Sequence, residues 1–447
     1  MTQRPMTAAI AATLLCFTPL LAGADKATDA KFAAMEARIT SLETKLDASQ
    51  KTIDEQAELL KAQATPAVSA GTEPASSLDA FLNTVQINGF VAASYSYQFN
   101  NPSNPIFANA TNQFNVDHNT FNLDAAKLEF YRPATNPGDV GFQLDLTFGD
   151  NGGILGLYRF NTPGYFADNF VHVQDMNIQY NWNNVLLKFG KFETLLGYEV
   201  IDSVANRNIT HGLLFTYAIP LVHNGLLASG KIGASDSPFG WAFGLVNGWN
   251  NATDLNDNKG MLGQVSYAGS MISTALNAYY GADGNTGFAL QTVRRKDSAF
   301  VLDWTATLTA NEMLTFWANA DYGIQQDVIF TNPASPQVIG SSDDAPWFGV
   351  ALGTQLNFGE KTTFALRGEY LRDAEGYRIV AGNNTDAWSL TSTLGYKLTP
   401  NLLTRAEFRW DVLTTDGTND QFFPSHKPSG FNNEGFQSLV QIAYIFD

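Results

Sequence analysis

From Val85 to Phe446 the chain repeats one pattern, an apolar side chain at every second position. In VQINGFVAASYSYQF, residues Val85, Ile87, Gly89, Val91, Ala93, Tyr95, Tyr97 and Phe99 share one side, while the other carries mostly Gln, Asn and Ser. Successive side chains of an extended strand point to opposite faces, so this alternation specifies strands with one greasy face. The pattern recurs at Val140 to Phe148, Met176 to Trp182, Val185 to Phe189, Leu226 to Ile232, Trp241 to Trp249, Met261 to Tyr267 and Ile272 to Tyr280. It continues at Phe300 to Leu308, Leu314 to Tyr322, Phe348 to Phe358, Phe364 to Tyr370, Trp388 to Leu398, Leu402 to Trp410 and Phe436 to Phe446. A less regular copy, Phe121 to Phe130, makes sixteen.

The connections narrow the architecture. Tight ones, such as Asn183-Asn184, Ala268 to Ser270, Gly359 to Lys361 and Thr399 to Asn401, alternate with long ones, such as Asn100 to Thr120, Thr194 to His223, Gln325 to Ala345 and Val412 to Asn433. Short turns on one side, long loops on the other and an even number of strands predict an antiparallel transmembrane β-barrel. Charge placement agrees. Within the sixteen segments and at their immediate ends only Asp124 falls on the apolar face; Lys127, Glu129, Asp145, Asp175, Lys188, Lys231, Asp303, Asp321, Arg367, Glu369, Lys397, Arg405, Glu407, Arg409 and Asp411 fall on the other. Lys or Arg facing lipid at mid-depth costs about 2–4 kcal/mol, so the apolar face looks outward. Sixteen strands enclose an aqueous channel. The last segment, SLVQIAYIFD, then places Tyr444 and Phe446 on the lipid side at the height of an aromatic girdle, in the strand that closes the barrel. Such a terminal strand is what barrel assembly machinery recognises, although Asp447 follows the aromatic.

Composition fits this reading. Only 15% of residues are charged and 13% are aromatic, with 32 Phe and 37 Gly, which favours strands and glycine turns. A net charge of -17 argues against nucleic acid, since phosphate binding needs clustered cations. Residues 1–24 read as a signal peptide, with a basic start, an apolar run from Thr7 to Leu21 and an Ala22-Gly23-Ala24 cleavage site. Cys16, the only cysteine, lies within it, so disulfide and thiol chemistry are not expected in the mature protein. Residues 25–63 carry a heptad seam through Phe32, Met35, Ile39, Leu42, Leu46, Ser49, Ile53, Gln56 and Leu60, which predicts a short oligomerising α-helical coiled coil in the periplasm. Residues 64–84 form a flexible linker and residues 85–447 the barrel.

The stretch GKFETLLGYEVIDSVANRNITHGLLFTYAIPLVHNG, Gly190 to Gly225, followed by GLVNGWN, Gly244 to Asn250, resembles the beta-barrel porin type 2, OmpL-like, family of Gram-negative bacteria. The likeness runs from about Val85 to the end. It departs near Leu195 and near Asn224, where family members often carry a Pro and a Thr. The resemblance implies a passive porin of the outer membrane, with lipid and lipopolysaccharide around it.

Thr194 to His223 is the third outer loop and the longest connection. In the general porins that such an architecture resembles, this loop folds inward and narrows the pore, and its candidates here are Glu199, Asp202, Arg207 and His211, with Glu193 at its root. In a ring of sixteen the opposite wall carries Arg367, Lys397, Arg405 and Arg409, which predicts a transverse field between acidic loop and basic wall; local pairing with Glu369, Glu407 and Asp411 is the competing expectation. Lys188, Lys231, Asp303 and Asp321 complete the expected pore wall, and weak cation selectivity is expected from the acidic loops.

DLNDNKG, Asp254 to Gly260, imitates a calcium loop through Asp254, Asn256 and Asn258, but its glycine comes late and Val265 stands where a closing Glu belongs, so a solvated turn is expected. His118, His172, His211, His223 and His426 lack metal-ligand spacing, and no cofactor fingerprint appears. The functional expectation is a diffusion porin, trimeric through barrel and coiled coil, whose helices could touch peptidoglycan. The alternatives are a barrel-anchored tether or adhesin, and an outer-membrane hydrolase.

Overall fold

The computed structural model describes residues 81, 83–102, 111–160, 171–254, 257–282, 291–293, 298–332, 335–379, 382–416, 423–424 and 431–446. All lie within one compact unit, Ser77–Asp447. The expected signal peptide, the coiled coil and most of the linker fall outside the described residues, as do Asn256, His426 and Asp447.

Sixteen antiparallel strands form the wall: β1 (Gln86–Gln98), β2 (Thr120–Arg132), β3 (Val140–Phe148), β4 (Val171–Trp182), β5 (Val185–Glu193), β6 (Val222–Lys231), β7 (Phe239–Val246) and β8 (Gly260–Ala268). The second half comprises β9 (Ile272–Ala282), β10 (Ser298–Thr309), β11 (Leu314–Asn332), β12 (Ser335–Phe358), β13 (Thr362–Asp373), β14 (Thr385–Thr399), β15 (Leu402–Thr415) and β16 (Glu434–Phe446). Each pairs with its sequence neighbours, and β16 pairs with β1 from Gly89↔Phe446 to Gln98↔Gln437, which closes the ring. Gly89 is required at this seam, because a Cβ there would lie 2.7 Å from the Phe446 ring and 2.2 Å from the Lys127 carbonyl oxygen. One turn shows why the short side stays short: Asn183 and Asn184 take positive φ values of 50° and 69°, the two-residue geometry that matches the twist of paired strands.

Burial is inverted relative to a water-soluble fold. Leu352, Phe189, Ile178 and Val440 are exposed, while Arg367, Arg409 and Asp303 are buried. Only a lipid-facing exterior makes that arrangement favourable, because apolar surface then meets hydrocarbon and charges meet partners inside.

Three expectations need correction. Asp124 does not face lipid. The pairing of β1 with β2 shifts between Ala92 and Ser94, and this bulge turns both Asp124 and Ala125 inward, where Asp124 accepts hydrogen bonds from Ser94 (2.6 Å), Asn115 (2.8 Å) and Gln441 (2.8 Å). The expected Gln325-to-Ala345 loop is instead a continuation of β11 and β12, paired from Gln326↔Asp344 to Asn332↔Ser335. A backbone ladder does not itself require apolar side chains to alternate, so the period-two signal stops before the strand does. Finally, β7 ends at Val246, and Gly248, with φ of 136°, swings Trp249 into the interior rather than onto the lipid face.

Candidate functional site

The loop between β5 and β6 supplies the side chains and backbone that meet the inward residues of β11 to β16. Its densest contacts fall on three arginines and two glutamates whose strand positions alternate with lipid-facing apolar residues. On β15, Glu407 accepts from the backbone N–H of Ile209 (2.5 Å) and Thr210 (3.0 Å), from the Thr210 hydroxyl (2.5 Å) and from the Thr393 hydroxyl (2.6 Å). Two residues away Arg405 donates to loop carbonyls at Ser203 (3.0 Å), Asn206 (3.0 Å) and Asn208 (3.3 Å), and to Gln441 Oε1 (2.5 Å). Arg409 donates to the His211 carbonyl (2.5 Å) and pairs with Asp411 (2.9 Å). On β13, Arg367 pairs with Glu199 of the loop and with Glu369 (2.9 Å), and donates to the Thr210 carbonyl (2.7 Å). The period of two places Arg405, Glu407 and Arg409 in one inward column, so cation, anion and cation meet carbonyls, amides and carbonyls in turn.

A second set of contacts is aromatic. Trp317 on β11 and Trp347 on β12 point inward, each lying over the glycine opposite it, Gly353 and Gly323. Tyr198 stacks on Trp317 with centroids 4.3 Å apart, and Trp347 Nε1 donates to the Ala218 carbonyl (3.1 Å). Arg378, from the loop after β13, donates to the Tyr217 carbonyl and rests over the Trp249 ring at 4.7 Å. Together with Phe192, Leu213, Leu214, Tyr279 and Tyr377 these form an apolar cluster inside the barrel. Beside the charged wall, part of the barrel interior under the loops is therefore apolar. Trp317 carried a sequence signal, as an aromatic on the phase of Thr315, Asn319 and Asp321, whereas Trp347 shares its phase with Ala345, Gly349, Ala351 and Gly353, which gives it no polar neighbours to stand out from.

The remaining candidates separate into groups. Arg207 donates to the Tyr198 hydroxyl (2.9 Å) and to Gln355 (2.5 Å). His211 is buried between Phe114 and Phe215, its Nε2 bonded with the Val200 carbonyl (2.8 Å), and burial pushes its pKa down to about 4, so it is neutral near pH 7. Glu193 and Asp202 lie elsewhere, joined by the Gln174 amide (2.6 and 3.2 Å), with Lys127 Nζ 2.6 Å from Asp202. Asp303 and Asp321 face each other across β10 and β11, where Asp303 accepts from Asn277 (2.5 Å) and Asn319 (2.6 Å). Lys231 ends β6 and Lys397 lies near the end of β14, both exposed on the short-turn side, and Lys188 is half-buried on β5, so none of the three joins the loop contacts. In the turn after β7, Asp254 pairs with Lys259 and caps the Asp257 N–H (2.9 Å), so an internal ammonium meets the carboxylate of the calcium-like stretch. Among the described residues no group of three His, Cys, Asp or Glu is placed to hold a metal ion.

Comparison with known proteins identifies the architecture. The model of the beta-barrel porin-2, OmpL-like, family matches residues 84–447. The chain belongs to this family. Its barrel is similar to the anion-selective porin from Comamonas acidovorans (TM-score 0.53, 10% identity, 81% of this chain and 99% of that one). It is also similar to the outer membrane channel DcaP of Acinetobacter baumannii (TM-score 0.52, 11% identity, 81% and 97%) and to Salmonella typhi OmpF in complex with daunomycin (TM-score 0.52, 11% identity, 81% and 97%). Curated protein sequences include no match. At these identities the structural likeness carries the fold alone. Family and fold place this porin in the outer membrane of a Gram-negative bacterium.

Proposed function

We propose that this porin is a passive channel for small hydrophilic solutes and ions, narrowed by its third outer loop. The observation that supports it is the line of contacts from Glu199 to Leu214 with Arg367, Glu369, Arg405, Glu407 and Arg409, which ties the loop to the wall across the ring from its own root. A loop held at so many points is a fixed obstacle, so solute size sets passage. The basic residues of β13 and β15 act mainly as anchors in this reading, and the transverse field is weak because loop carbonyls and carboxylates already surround them. Liposome swelling with sugars of graded size and planar-bilayer conductance test the proposal: a sharp size cut-off with ohmic conductance is expected. A correctly folded barrel that never conducts would overturn it in favour of a tether.

The heptad seam of residues 25–63 would join three copies in the periplasm, near enough to meet peptidoglycan, while the Val440, Ile442, Tyr444 and Phe446 face would serve lipid contact and assembly-machinery recognition. No catalytic group is assigned to this porin.

A further inference from the structure

The lumen holds two sets of charges, and they are satisfied to different degrees. Arg367 and Arg409 have side chains that are 0% exposed, closed in by carbonyls and carboxylates, whereas Asp202, beside β2 to β5, keeps 19%. Around Asp202 the carboxylates of Asp145, Asp175, Glu193 and Asp202 gather about the Lys127 ammonium, with Glu129 and Lys188 acting on Asp145 and Asp175 from farther off. Lys127 Nζ bridges Asp145 (2.9 Å) and Asp202 (2.6 Å), the Gln143 amide reaches Asp145 (3.2 Å) and Asp175 (3.5 Å), and the Gln174 amide joins Glu193 to Asp202. A bulge builds the cluster: the register between β3 and β4 shifts after Asp145, so the consecutive residues Gln174 and Asp175 both turn inward, and Asp145 and Asp175 become direct cross-strand partners.

Asp145 and Asp175 are 1% and 5% exposed, yet the Oδ1 atom of each receives no hydrogen bond. Two adjacent buried carboxylate oxygens without a donor are costly, and either a proton held between them or a cation with N–H groups relieves that cost. Lys127 shows the chemistry already, since its ammonium sits between carboxylates of this same cluster. We propose that the Asp145–Asp175 pair is a subsite for the primary ammonium group of a permeating solute, seated beside the Lys127 ammonium. The subsite rests on the channel reading above, and it selects by hydrogen-bond donation as well as by charge. Passage through it is a competition between the solute ammonium and Lys127 for neighbouring oxygens.

Bilayer reversal potentials in methylammonium chloride and tetramethylammonium chloride gradients test it, because only methylammonium can donate. Asp175→Asn is expected to lower methylammonium permeability relative to chloride about fivefold, the effect of one unit charge near 4 Å in a water-like medium, and to change tetramethylammonium less. Lys127→Met, which vacates the neighbouring seat, is expected to raise it by a similar factor. Equal changes for both cations, or none in folded channels, overturn the subsite while leaving the porin reading intact. If Asp175→Asn does not reach the heat-modifiable folded form, Lys127→Met alone decides. Should the wild-type barrel not conduct, the porin reading fails, and NMR of ¹³C-methylammonium with detergent-solubilised barrel tests the subsite: saturable binding that Asp145→Asn abolishes and Lys127→Met strengthens supports it, and no binding, or binding unchanged in both variants, overturns it.

Discussion

Replacing Glu407 with Gln should release the third loop while leaving the barrel closed. The carboxylate accepts four hydrogen bonds, from Ile209 N–H, Thr210 N–H, the Thr210 hydroxyl and the Thr393 hydroxyl, all at 2.5 to 3.0 Å. Glutamine keeps the volume but offers one oxygen and an amide that itself donates. At least two of the four donors then lose their acceptor or face another donor. Hydrogen bonds to charged groups contribute about 1.5–3 kcal/mol each, so loop docking should weaken by roughly 3–6 kcal/mol. The wall pays little, since β15 is held by its ladders to β14 and β16, Thr393↔Glu407 and Glu407↔Leu439 among them. Trypsin is a direct assay because Arg207 lies in the loop and its guanidinium is engaged by Tyr198 and Gln355. In detergent or vesicles the wild type should resist cleavage at Arg207; Glu407→Gln should be cut there within the same time and show noisier, larger single-channel currents. Equal resistance and identical conductance in the variant would refute the anchoring argument.

Other outcomes follow from the same geometry. His211 has a folded-state pKa lowered to about 4 against an ordinary value near 6.5, so the unfolded or undocked loop binds a proton first; its contribution is complete above pH 6.5 and is lost as pH falls toward 4, by about 3 kcal/mol. Single-channel recordings from pH 7 to 4 should show gating that His211→Leu suppresses, and a pH response unchanged by that substitution would contradict it. Gly353→Ala would set a Cβ 2.3 Å from Trp317 Cε2, so the Trp317–Tyr198 stack should break at a cost of about 1–3 kcal/mol, visible as changed tryptophan emission and a lower melting temperature. Leu352→Arg, at a lipid-facing position on β12, should reduce folding into vesicles by about 2–4 kcal/mol in urea titrations; no loss would argue that this face does not meet hydrocarbon.

Strand existence was legible because lipid outside and partners inside impose the same alternation on every stave, and fifteen of the charged positions could be assigned to the inner face from phase alone. Asp124 was the exception, and its cause is local: a bulge adds one residue to β2 and reverses phase, a change in pairing that a single strand's sequence does not display. The same limit hid Gln174, whose bulge brings it together with Glu193 and Asp202. The extension of β11 and β12 was invisible for a different reason, as backbone pairing by itself needs no hydrophobic period.

Within the loop, residue types pointed to Glu199, Asp202, Arg207 and His211, but their destinations diverge. Glu199 meets Arg367, Asp202 meets Lys127, Arg207 meets Gln355 and His211 turns toward Phe114 and Phe215. What the chain alone determined is the wall: number of strands, which side of each faces lipid, and which turns are short, since all of these are local consequences of a period of two beside hydrocarbon. What tertiary structure alone decided is the use of the inner charges. Arg405 and Glu407 are equally inward by sequence, and only the path of a loop anchored on another part of the ring turned them from lining into fastenings, because partners distant in sequence are set by chain trajectory and not by periodicity.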